Sequence, residues 1–305
     1  MIRSPKSGVS EMGVKEIIEE QWMRINPYFE DEFINEDRTG KKNIIQILDD
    51  LYVNTEKTVP GLFVKPLGSF ADQTILRGRR GNRTKTEELN PPTIEVAKKN
   101  HIINRWNPPD KRYLYVSFGE YENALETVEA EMRAKPGEEI TVGEFKFKTD
   151  PEKMLIADLD YDQISRNSIF GVLEEYKNTE VSDIVTHFSG RKVMPSKKEI
   201  MQQIEAKRDQ TTIAATAFCG ALTLKEICDT IFVPLDTDED NDPDKKDKCY
   251  KSFHILAEYY ESKGYAGISF SSTRMKLMGK TGSNLVLFDA DCAEATPESL
   301  RVITI

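Results

Sequence analysis

Four separated segments of this chain carry the side-chain types that ligand chemistry needs. LRGRRG (76–81) sets Arg77 at the end of an apolar strand pattern. NPPTIEVAKKNHIINRWNPPDKRYLYVS (90–117) places Arg105 and Asn107 just ahead of the strand that holds Tyr115. ENALETVEAEMR (122–133), followed by KPGEEITVGEF, is a helix with Glu126, Glu129 and Glu131. GYAGISFSSTR (264–274) leads past Ser272 and Gly282 into the strand NLVLF (284–288). Arginine presents a rigid fork of donors that matches phosphate and carboxylate oxygens. A tyrosine in a strand offers a ring to stack and a hydroxyl to bond. A carboxylate on an inner helix face can stabilise positive charge.

The helix can be oriented by its own period. Its apolar stripe runs through Leu125, Val128 and Met132. With Val128 at the centre and an advance of about 100° per residue, Glu131 lies about 60° from the centre, Glu129 about 100° and Glu126 about 160°. Glu131 is therefore nearest the buried side. Three other patterns carry less chemistry. The alternating aspartates of DTDEDNDPDKKDK (236–248) resemble a calcium loop, but Asn241 stands at the turn glycine and the last ligand is not Glu. GKTGS (279–283) lacks the first glycine of a phosphate loop, since Arg274 occupies that place. His101, His187 and His254 have no partners at metal spacing, so no metal site is expected.

Taken in order, the four segments resemble the RES-domain family, named for its Arg, Glu and Ser, whose members include bacterial toxins paired with Xre-type antitoxins. The likeness rests on an Arg after a strand, PP then RxNP, LYxS, a helix ending in AExR, PGxxxxVxEF, GxxGIxxxSS and NLVLF. It covers about 77–288 with a divergent middle. The resemblance implies an α+β, ADP-ribosyltransferase-like fold and an enzyme that cleaves the nicotinamide–ribose bond of NAD. NAD is then a substrate, with inorganic phosphate or water as acceptor: an NAD phosphorylase or an NAD glycohydrolase. On that reading Arg77 and Arg105 meet the phosphates, Tyr115 the ribose or nicotinamide, Glu131 the developing positive charge, and Ser272 positions the reacting parts. Arg77 and Ser272 count among the catalytic and NAD-binding residues alike. Glu126 and Glu129 stay open as the carboxylate, because the helix is about a turn longer than the family spacing. The family usually has Tyr-Pro-Ser where this chain has Phe270-Ser271-Ser272, so no tyrosine hydroxyl is available there. An antitoxin protein is the implied partner, and a homo-oligomer stays open. A protein ADP-ribosyltransferase and a catalytically silent binding module are the alternatives.

The elements that must position these residues mix strands and helices without a βαβ rhythm, which favours α+β over a doubly wound sheet. Residues 1–60 read as a helical N-terminal extension, with amphipathic stretches at 11–26 and 43–53. Residues 61–305 read as the catalytic domain, with a helical insertion at about 150–224 and further strands and helices on either side. The periodicity predicts strands at 74–79, 113–118, 139–148, 266–271 and 284–289, helices at 120–133 and 250–263, and loops at 81–92 and 236–248. Lys and Arg number 42 against 52 Asp and Glu, a net charge of −10 that argues against a general nucleic-acid binder. The longest charge-free run, 211–224, is too short for the roughly 20 apolar residues of a membrane span. Four dispersed cysteines and no apolar leader point to a reduced cytoplasmic protein.

Overall fold

Val, Ile, Phe and Tyr concentrate in short runs bounded by Gly and Pro, and each run becomes a strand because branched and aromatic side chains pack on a pleated surface. In the computed structural model of the chain, the described residues are 60–100, 102–108, 110–148, 150–160 and 243–305, with scattered positions in 48–57 and 198–228. The strands are β1 (Val64–Pro66), β2 (Thr74–Arg80), β3 (Leu114–Gly119), β4 (Glu139–Phe147), β5 (Leu155–Leu159), β6 (Gly267–Ser271), β7 (Ser283–Leu287), β8 (Ala293–Ala295) and β9 (Arg301–Thr304). They form one sheet in the order β1-β5-β6-β7-β3-β2-β4-β8, with β9 also on β4. Every pair is antiparallel except β5 with β6. The helices are α1 (Ile94–Lys99), α2 (Tyr121–Met132), α3 (Pro243–Ser262) and α4 (Thr273–Leu277). The architecture is α+β with a sheet at its centre. All of it lies in one unit, Phe63–Gln163 with Cys228–Ile305; Met1–Leu62 with Ile164–Ile227 form another.

Alternation along the strands splits the apolar side chains between two faces. Ile75, Val116, Phe118, Phe145, Ile156, Leu285 and Leu287 belong to one core cluster, together with Leu67, Phe70, Leu89 and others. The next residue of β2, Leu76, turns the other way and joins Ile140 and Val142 under Ala124 and Val128 of α2. Removing Val128 from water contributes about 2 kcal/mol. The helix sits unusually close to β2 because Gly78 has no side chain: a Cβ there would stand 2.5 Å from Met132 Sδ and 2.6 Å from Val128 Cγ1. That approach carries Glu131 over the sheet.

Three sequence-based boundaries need correction. The stretch expected to open the helical insertion contains β5, which pairs in parallel with β6. Its alternation, Ile156 and Asp158 against Ala157 and Leu159, was masked because both faces are covered, so the strand reads as apolar throughout except for its aspartate. The charged loop expected over 236–248 gives way to α3 at Pro243, a residue whose fixed φ suits a helix's first turn. The stretch between the strands expected at 266–271 and 284–289 contains α4, which Ser272 caps through a bond from Met275 N at 3.2 Å. The readings at 11–26, 43–53, 164–175 and 197–208 fall, apart from single positions, outside the described residues. Among the described residues no helix is long and apolar enough to cross a membrane.

At Gly267 of β6 a Cβ would lie 2.2 Å from the carbonyl oxygen of Val286 on β7, a backbone atom that cannot step aside. Gly267→Ala should therefore cost about 3 kcal/mol of stability, the upper end for overpacking. Urea unfolding measures it, and a loss below about 0.5 kcal/mol would show that the two strands separate easily.

Candidate functional site

The site begins where a ladder stops. β2 and β3 pair through Thr74–Gly119, Ile75–Phe118 and Leu76–Ser117. Beyond Leu76, β2 continues on β4 to Arg80, while β3 runs from Ser117 back to Leu114 on β7. The strands part, and the Arg77 side chain enters the gap. Its Nη1 donates to the Tyr115 carbonyl and its Nε donates to the Leu89 carbonyl at 2.6 Å. Arg79 Nη2 donates to the Asn90 carbonyl at 2.9 Å. Burial, then repulsion from Arg79, pushes the Arg77 guanidinium down to about 9, and nearby Tyr115 opposes this. Arg79 is likewise lowered by burial, then by Arg83. Two adjacent arginines held this way favour an anion between or beside them.

The gap opens into a cavity of about 430 Å³, within the usual range for a small-molecule site. Arg77, Arg105, Tyr115 and Glu131 line it. Ser272 reaches it through Glu131: its Oγ donates to Glu131 Oε1 at 2.7 Å. A second donor, Asn284 Nδ2, meets the same oxygen at 2.7 Å. Asn284 is itself oriented, since its Oδ1 accepts from Ser117 Oγ at 2.8 Å and the two residues are register partners on β7 and β3. The five sequence-predicted residues are thus brought together from segments up to 195 positions apart (272 minus 77).

The other two helix carboxylates lie elsewhere. Glu126 pairs with Lys280 at the surface. Glu129 is absent from the lining, and its carboxyl is raised by burial and by Glu126. The 60° offset from the apolar stripe sufficed to bring Glu131 inward, helped by the nearness of α2 to Gly78.

Arg105 is stacked and bonded rather than extended into the open. Its guanidinium stands 5.2 Å from the Phe253 ring centroid, and its Nη2 donates to Thr273 Oγ1 at 3.1 Å. Burial lowers it, and the Glu131 charge opposes this most. The Tyr115 hydroxyl accepts from the Trp106 backbone N–H at 2.7 Å, so its oxygen is used in fixing the loop that carries Arg105. Burial lifts this phenol well above the ordinary tyrosine range. Phe270 packs on Trp106 with centroids 5.6 Å apart.

Sequence reasoning passed over Asn284, Ser117, Arg133 and Arg274. A signal was present for the first two: polar residues buried at 4% exposure inside otherwise apolar strands need a partner. Arg133 and Arg274 close the quoted AEMR and SSTR runs, and both line the cavity. Arg133 caps α2 with φ 50° and ψ 46°, the left-handed region that glycine usually fills. Burial lowers its guanidinium, and Arg274 adds to the effect. Tyr250 faces the same group: burial raises its phenol while Arg105, Arg133 and Arg274 pull it back.

Among the described lining residues seven side chains are cationic and Glu131 is the one carboxylate. Lys111 and Arg112 are tied to Glu261 at 2.8 Å and Asp291 at 2.9 Å. Arg77, Arg79, Arg105, Arg133 and Arg274 make up the rest of the cationic lining, in a chain of net charge −10. Such a cavity concentrates a polyanion and holds a single fixed negative charge within it. Comparison with protein-family models, curated proteins and solved structures returns no match.

The backbone of Arg133 separates its two duties. Arg133→Gly should relieve a left-handed conformation worth about 1 kcal/mol and raise the thermal midpoint by about 2 °C. Calorimetry checks this; a fall of the same size would mean that the side chain's contacts outweigh the backbone cost.

Proposed function

We propose that this chain is an NAD-degrading enzyme that cleaves the nicotinamide–ribose bond and passes ADP-ribose to phosphate or water. The observation that carries the reading is a single carboxylate, Glu131, held by two donors inside a cavity whose described lining carries six arginines and a lysine. The substrate's pyrophosphate has two negative charges, which suit the buried guanidiniums. Its pyridinium is positive, and as the C–N bond breaks the bonding pair goes to the nicotinamide nitrogen and the positive charge moves to the ribose. Glu131 meets that charge more strongly in the transition state than in the ground state. Ser272 and Asn284 both donate to Oε1, so the carboxylate is oriented before substrate arrives and costs little reorganisation during reaction.

The same reading takes the sheet as an ADP-ribosyltransferase-like core, supported by the parting of β2 and β3 and by the Arg, Tyr, Glu and Ser gathered there. It takes the protein as the toxin of a toxin–antitoxin pair, since loss of NAD would harm its own cell without a protein partner. Incubation with NAD, with and without inorganic phosphate, tests it by product mass. ADP-ribose 1″-phosphate identifies a phosphorylase and ADP-ribose a glycohydrolase. A modified protein would identify an ADP-ribosyltransferase, and intact NAD a binding module.

Two substitutions separate the roles. Glu131→Gln keeps the shape and loses the charge, so turnover should fall by roughly 10² to 10³ with KM nearly unchanged. Arg105→Ala should mainly raise KM, because a phosphate contact acts on ground and transition states alike. Full activity in Glu131→Gln would end the proposed mechanism. Steady-state kinetics on NAD reads both.

A further inference from the structure

Behind the Glu131 site, on the far side of the same strands, lies a second polar cluster that the reaction does not touch. Asp160 follows β5, and its two carboxylate oxygens are divided between two strands: Oδ1 accepts from Ser271 Oγ and Oδ2 from Ser283 Oγ. Ser271 and Ser283 are register partners on β6 and β7. The residue after each is one of the donors to Glu131, Ser272 in the first case and Asn284 in the second. Asn284 follows Ser283 within β7 and so faces the other way, and Ser272 is the extended residue that leaves β6 to cap α4, so a group that holds Ser271 and Ser283 from behind also sets where these two successors stand.

We propose that Asp160 is a positioning residue of the Glu131 site, clamping β6 to β7 so that Ser272 and Asn284 converge on one carboxylate oxygen. The inference rests on the NAD reading for its kinetic test only. The clamp is itself anchored. Asp160 N donates to Asp158 Oδ1 at 3.2 Å, and Asp158 is buried, paired with Lys65 of β1, and accepts from Ser269 Oγ at 2.7 Å. Asp158 and Lys65 are the charged groups that face Asp160 from β5 and β1. Burial raises the Asp160 carboxyl, and its two serine bonds oppose that most. Each serine donates to a different oxygen of one carboxylate; an amide offers one oxygen as acceptor, and its NH2 meets the other serine only with that bond reversed.

Asp160→Asn therefore keeps the volume but reverses one of the two bonds and removes the charge from both, which loosens the clamp. In the full chain its kcat for NAD should fall about tenfold with KM within twofold of wild type, the pattern of a misplaced carboxylate rather than lost binding. Ser271→Ala and Ser283→Ala should each lower kcat, and in the Ser271→Ala/Ser283→Ala background Asp160→Asn should change nothing further, since the three act as one unit. These serine variants decide the matter if Asp160→Asn does not fold. A second readout needs no turnover: with glutamate labelled at its carboxyl carbon, the Glu131 resonance, assigned by its loss in Glu131→Gln, should move in Asp160→Asn. If wild type leaves NAD intact, the NAD reading fails and this resonance alone judges the clamp. A kcat within twofold of wild type, a KM that rises in step with the loss, or an unmoved Glu131 resonance overturns the proposal.

Discussion

The structure turns on the place where β2 and β3 stop pairing. A continuous ladder past Leu76 and Ser117 would close the sheet and leave no cavity between them. The separated strands expose carbonyls that must be satisfied, because a buried unpaired carbonyl costs about as much as a lost hydrogen bond. The Arg77 side chain meets that need at Tyr115 and, at the end of the short 3-10 helix Thr86–Leu89 ahead of α1, at Leu89. One guanidinium therefore does two things. It stabilises the split by replacing ladder bonds, and it leaves a positive charge buried at the base of the cavity. A neutral donor could do the first and not the second.

That charge shapes the rest of the site. Arg79, Arg105, Arg133 and Arg274 repeat the theme around the cavity, and burial lowers the first three. Glu131 offsets some of this, as its effect on Arg105 shows. Seven cationic side chains and one carboxylate among the described lining residues make the cavity complementary to a ligand with several negative charges. The lone carboxylate then gains selectivity from its surroundings: any positive charge on that ligand has one place to go.

The carboxylate's position is decided by several modest constraints acting together. Gly78 lets α2 approach the sheet, the helix period turns Glu131 inward, and Ser272 and Asn284 fix one oxygen. Ser272 serves α4 as its cap at the same time, so the start of that helix and the orientation of the carboxylate share a hydroxyl. Arg133 shows the opposite economy: its backbone accepts a left-handed conformation so that an arginine rather than a glycine ends α2 beside the cavity.

Much of this was legible in the residues alone. Strong local signals, the aromatic and branched run of β3, the Glu- and Ala-rich α2 and the alternation of β4, depend on near neighbours and so survive without tertiary context. The inward bias of Glu131 follows from the helix period for the same reason. Other features were settled only by tertiary structure. β5 is covered on both faces, which removes the alternation that would mark it, and its parallel partner lies more than a hundred residues away. The Tyr115 hydroxyl is committed to Trp106 by loop geometry that no spacing encodes. Asn284, Ser117 and Asp160 acquire meaning only when β3, β5, β6 and β7 lie side by side, because a hydrogen bond requires two atoms within about 3 Å and sequence distance carries no such information. The chain's amino acids determine which segments are strands and helices; which polar side chains meet is decided by the register between strands far apart in sequence.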